Sequence, residues 1–97
     1  MVFRTSEEIK PVYRAYVDRF LGIHGVNSVA ITTLGILREE AGKRGLEFML
    51  SDEERPEFYG LEVGTVTSER HPDLPRREYR EARLLYVPIG RIRPLNE

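Results

Sequence analysis

The stretch IKPVYRAYVDRFLGIHGVNSVAI, residues 9–31, decides the fold of this chain. Ile9, Val12, Tyr13, Tyr16, Val17, Phe20 and Leu21 recur at the three- and four-residue spacing of a single helical face. Thr5 and Glu8 stand ahead of that stripe as a T-x-x-E capping box, and Glu7 and Glu8 suit the positive end of a helix. The spacing predicts a helix over about 6–21, with Gly22 as its C-cap. Pro11 either opens the helix at its first position or, if the helix begins at Thr5, removes one backbone bond in the second turn. Gly25 permits the reversal that follows. The run Val26-Asn27-Ser28-Val29-Ala30-Ile31 has strand composition, with Val29 and Ile31 on one face and Ser28, Ala30 and Thr32 on the other.

Working outward, residues 26–33, 46–50, 61–67 and 84–92 read as strands. Residues 34–45 fit two descriptions. Leu34, Leu37 and Ala41 suit a short helix, whereas Gly42 and Gly45 within a charged run suit a hairpin loop, and the glycines favour the loop. Gly64 marks a bulge or a close backbone approach, and Pro88 makes the last strand an edge strand or a bulged one. The expected architecture is one α+β domain over residues 1–97. In it a single N-terminal amphipathic helix packs on an antiparallel sheet of about four strands, in the order α-β-β-β-β. One helix covers one face of such a sheet. The other face is then polar, covered by the C-terminal segment, or buried against another subunit.

The series Gly25-Val26-x-x-Val29-x-Ile31, Leu46-x-Phe48-x-Leu50 and Pro56-x-x-Tyr59-Gly60-x-x-Val63 resembles a pattern in small bacterial α+β domains of unknown role. Some of these domains stand in front of trypsin-like peptidase homologues. The likeness spans about residues 5–67 and consists of turn glycines and core aliphatics. It implies the α+β fold; the peptidase portion has no counterpart here, and no functional residue is carried over.

Composition bounds the chemistry. The 97 residues are enough for one cored domain, and the absence of cysteine removes disulfides, thiolate metal sites and cysteine nucleophiles. The first residues lack a signal-peptide pattern and no apolar run reaches bilayer length, so a cytoplasmic protein with no membrane partner is expected. Net charge is −1, but unevenly spread. Arg38–Glu57 holds four basic and seven acidic residues, and Arg70–Arg93 holds seven arginines against Asp73, Glu78 and Glu81. Such asymmetry suits solvated loops, a steered ligand, or two patches that meet in a dimer.

Few residues carry candidate chemistry. His24, past the end of the helix, suits a C-capping side chain better than a general base or a ligand-binding imidazole, and it joins the arginine segment below as a candidate ligand- or partner-binding residue. His71 and Asp73 form a His-x-Asp pair with no nucleophile beside it, and 47 positions separate the two histidines, which is no metal-site spacing. Asp52, Glu53, Glu54 and Glu57 lack the ligand alternation of a calcium loop. Arg76, Arg77, Tyr79, Arg80 and Arg83, with Tyr86, Arg91 and Arg93, make the one partner-like patch. Arginine contacts phosphate and tyrosine stacks on bases, yet Glu78, Glu81 and the net charge weaken that field. The same arginines suit pairing with the Asp52–Glu57 segment of the same or a neighbouring chain. No phosphate-binding loop or nucleophile elbow is present, and no cofactor or metal is expected.

The expected function is a non-enzymatic interaction module that self-associates, as a dimer, or binds another protein. The alternatives are a nucleic-acid-associated protein using residues 76–93, and a small hydrolase or isomerase with a histidine base.

Overall fold

In the computed structural model, which describes residues 2–22, 25–66 and 72–88, the apolar stripe forms helix α1 (Ser6–Phe20). Its capping box closes as the sequence predicts. The Thr5 hydroxyl accepts from the Glu8 N–H at 3.2 Å, and the Glu8 carboxylate accepts from the Thr5 N–H at 3.1 Å. A cap of this kind is worth about 1 kcal/mol. Pro11 lies inside the helix, and Gly22 takes a φ of +82° just past its end. Ile9, Val12, Tyr16 and Phe20 are buried against the sheet.

The remaining elements are β1 (Val26–Thr33), α2 (Leu34–Lys43), β2 (Tyr59–Thr65), β3 (Glu78–Tyr79) and β4 (Ala82–Pro88). The strands form one sheet in the order β1-β2-β4-β3. β1 pairs antiparallel with β2, and β3 antiparallel with β4, but β2 and β4 run parallel. The fold is α+β with four strands, as expected, and the sheet is mixed where a purely antiparallel one was expected. Parallel neighbours arise because β3, which runs opposite to β2, lies one strand position beyond it, and the short β3–β4 hairpin returns the chain into the gap between them.

Residues 34–45 are the main correction. They are helical to Lys43, and the helix follows β1 without a loop because Thr33 ends the strand and caps the helix, its hydroxyl accepting from the Ile36 N–H at 3.3 Å. Gly45 supplies the positive φ of +70° beyond the C-terminus. Gly35 serves contact, not turning: a Cβ there would lie 3.1 Å from the Pro56 Cβ, and its N–H donates to the Pro56 carbonyl at 2.9 Å. The element order is therefore α-β-α-β-β-β.

Residues 46–50 were expected to be a strand and are not one. Their alternation is real, because Phe48 and Leu50 pack inward while Glu47 and Met49 are exposed, but they join no ladder. The segment is an extended strap. β2 begins at Tyr59 and ends at Thr65, and β4 runs from Ala82 to Pro88 between β2 and β3. It is therefore an interior strand that Pro88 ends and not the edge strand expected; residues 89–92 lie outside the described residues. The Gly64 expectation holds in part: the register shifts between Val26 and Ser28, opposite Thr65 and Gly64, so Asn27 is the bulged residue.

The sheet has two covered faces. On one, α1 packs over Leu61, Val63, Ala82 and Leu84, with Val29, Ile31, Tyr79 and Tyr86 partly buried at the margin. On the other, Leu34, Leu37 and Ala41 of α2 pack over Leu85 and Val87, joined by Phe48, Leu50 and Phe58. A second helix and the strap thus take the place of the polar, tail-covered or subunit-covered face expected from the sequence. What they leave uncovered is β1, where Ser28 and Ala30 are exposed on the α2 side.

Candidate interaction surfaces

The arginine segment divides once its neighbours are known. Arg83 points from β4 to the α2 side, where its guanidinium forms an ion pair with the Glu54 carboxylate and donates to the Met49 carbonyl at 2.9 Å. It also stacks 4.6 Å from the centre of the Phe48 ring. The Arg83 and Glu54 side chains are only 19% and 8% exposed. Glu54 accepts in addition from the Ser51 N–H at 2.9 Å. Arg83 is therefore the clasp that holds the strap and the acidic turn against the sheet. This pairing with the Asp52–Glu57 segment, within one chain, is one of the arrangements the sequence suggested.

Tyr79 is equally committed to packing. Its ring meets Tyr16 and Phe20 edge-on at 5.4 and 5.5 Å, so it is a cover for α1 and no free stacking platform. Deeper in the same cluster the Tyr16 hydroxyl donates to the Tyr86 hydroxyl at 3.1 Å. Burial, reinforced by that bond, pushes the Tyr16 phenol far above its ordinary value of 10.0. It stays neutral at physiological pH.

Arg76, Arg77 and Arg80 remain exposed. Arg80 sits 5.7 Å above the Tyr79 ring, at the tip of the β3–β4 hairpin. There Arg80 and Glu81 take φ values of +50° and +68°, the left-handed pair that a two-residue hairpin turn demands. Arg76 and Arg77 border a cleft of about 470 Å³ between the strap and β4, whose walls also carry Glu47, Glu78 and Met49. Arg83 also lines it, but that guanidinium is paired with Glu54, so two glutamates face the two remaining arginines and the cleft carries little net positive charge. His24, like His71, Arg91 and Arg93, lies outside the described residues. Among the described residues no cluster of three or more His, Asp or Glu could hold a metal ion, and no helix is long and apolar enough to cross a membrane.

The feature that sequence reasoning missed is the outer edge of β1. Thr33 lies opposite Tyr59, and the Tyr59 N–H turns away from β1 to the Phe3 carbonyl at 2.8 Å. Thr33/Tyr59 is thus a non-hydrogen-bonded pair. By the two-residue period of an antiparallel ladder, Ile31/Leu61 and Val29/Val63 are too. The N–H and C=O groups of Val29 and Ile31 consequently point away from β2, and no described strand lies on that side. Ala30 and Thr32 direct theirs inward, to Glu62 and Gly60. The edge is eight residues long and holds neither charge nor proline. Exposed edges are commonly blunted by lysine, proline or a bulge; here the bulge at Asn27 guards only the entry. The opposite edge, β3, has only two residues. The signal in the sequence was the uncharged run VNSVAITT, which becomes informative only with its place in the sheet.

Beside this edge, on the α2 side, Ser28, Ile36, Glu40, Arg44 and Glu62 border a hollow of about 330 Å³. Ile36 is 48% exposed there. The chain matches no family model, and neither a curated protein nor a solved structure is significantly similar to it.

Proposed function

We propose that the chain is a non-enzymatic interaction module that self-associates by pairing its β1 edge with that of a second copy. The single observation behind this reading is the uncharged edge whose Val29 and Ile31 backbone groups point outward from the sheet. Strand addition satisfies such groups with main-chain hydrogen bonds, and an antiparallel edge is complementary to itself under a two-fold axis. Both sheet faces already carry a helix, so association through a face, as the sequence suggested, is not what the packing favours.

Multi-angle light scattering across a concentration series tests the proposal. The expected result is a mass rising from 11.3 kDa to twice that value as concentration increases. Ile31→Pro removes one outward N–H, a loss an edge strand tolerates when that N–H faces solvent, and should shift the transition to higher concentration. Far-UV circular dichroism checks that this variant keeps its fold. A monomer at every concentration refutes the reading. The nucleic-acid alternative retains Arg76, Arg77 and Arg80, while Arg83 and Tyr79 are engaged inside the chain.

A further inference from the structure

We infer that the two copies meet about a two-fold axis passing through Ala30, which sets Val29 of each against Ile31 of the other. The inference rests on the edge-pairing reading above and specifies its register. Only a few axes align the outward-facing groups of two antiparallel β1 edges. An axis at Ile31 would set Val29 against Thr33, whose carbonyl is committed to the first turn of α2 because Thr33 is its N-cap. An axis at Val29 would set Ile31 against Asn27, the bulged residue. The axis at Ala30 keeps both irregularities out of the central pairs and sets Asn27 opposite Thr33 only at the two ends of the seam. It pairs Val29 with Ile31 twice over, each pair exchanging both main-chain bonds.

Side chains agree with that register on each face. On the α1 side, Val29 and Ile31, partly buried in the single chain, would lie beside their counterparts and complete an aliphatic cluster across the seam. On the α2 side, Ala30 would face Ala30 of the second copy, and Ser28 would face Thr32. These side chains are small enough for the strands to approach without obstruction. The exposed Ile36 of each copy borders the same hollow as Ser28. The product is one continuous sheet with β1 of both copies at its centre, which removes the long exposed edge altogether.

Because the chain contains no cysteine, single cysteines report the register directly. Residues 30 and 30 of the two copies would form a non-hydrogen-bonded pair with Cα atoms about 4.5 Å apart, within the span a disulfide needs. Ala30→Cys, Ser28→Cys and Thr32→Cys are each oxidised with glutathione disulfide and run on non-reducing gels. Ala30→Cys should cross-link to a dimer by itself. Ser28→Cys and Thr32→Cys should each stay largely uncross-linked alone and form the heterodimer when mixed. Cross-linking of Ser28→Cys or Thr32→Cys alone as fast as Ala30→Cys overturns the register. If Ala30→Cys is a dimer by light scattering and still does not cross-link, the register falls and the edge reading stands. A chain that is monomeric throughout removes both.

Discussion

Arg83→Ala separates a structural arginine from a binding one. The substitution removes the ion pair with Glu54, the hydrogen bond to the Met49 carbonyl and the stack on Phe48. It also strands a Glu54 carboxylate that is 8% exposed. Breaking a buried pair by deleting one partner costs roughly 3–5 kcal/mol. Arg83 itself is 19% exposed, which places the expected loss near the lower end, about 3 kcal/mol. For a domain of this size that corresponds to a melting point lower by about 15 °C. Urea titration followed by circular dichroism measures the loss. Arg76→Ala and Arg77→Ala are the internal controls, since both side chains are exposed, and each should stay within about 0.5 kcal/mol of the parent. If Arg83→Ala is as mild as those two, the clasp does not hold the strap and the division of the arginine segment is wrong.

Other perturbations probe the fold at separate points. Gly60→Ala places a Cβ 2.8 Å from Leu37 Cδ1 and 3.0 Å from the Arg83 carbonyl, so it should destabilise by about 1–3 kcal/mol in the same titration. Arg80→Asn with Glu81→Gly relieves two left-handed non-glycine residues and should raise stability by about 1 kcal/mol; no gain would mean that the turn carries no strain. The Tyr16 phenol is held neutral in the folded chain, its pKa raised above the ordinary 10.0. Its contribution is therefore complete below pH 10 and is lost as the pH rises above it, by up to about 1.4 kcal/mol per pH unit. Tyr16→Phe should cost about 1 kcal/mol at neutral pH through the lost bond to Tyr86 and should flatten the alkaline decline. An unchanged decline between pH 10 and 11 would assign it to other groups.

Legibility followed the kind of physics involved. Helix α1 was readable because its signal is local: a capping box, an apolar period and a glycine beyond the end. Helix α2 was legible only as one of two descriptions, because Thr33 serves at once as strand end and N-cap, and because Gly42 and Gly45 suit a loop although one lies in the last turn and the other just past the C-terminus. The alternation in Leu46-x-Phe48-x-Leu50 correctly reported one buried side but not the absence of a ladder, since alternation records burial and not hydrogen bonding. The parallel pairing of β2 with β4 depends on β3 taking the outer position, which leaves no periodic trace. The arginine segment was visible as charge, yet its division into a clasp and an exposed remainder needed the position of Glu54. Self-association was expected from an uncovered sheet face. The structure covers that face with α2 and, among the described residues, leaves β1 as the long unpaired edge.

Amide hydrogen exchange at residues 29–32, followed by NMR over a concentration series, tests the central claim most directly. The Ala30 and Thr32 amides face β2 and should be protected at every concentration. The Val29 and Ile31 amides should exchange freely in dilute solution and slow down as the doubled mass appears. Val29 and Ile31 amides that are protected in the monomer, or that remain unprotected while light scattering reports a dimer, would contradict the account.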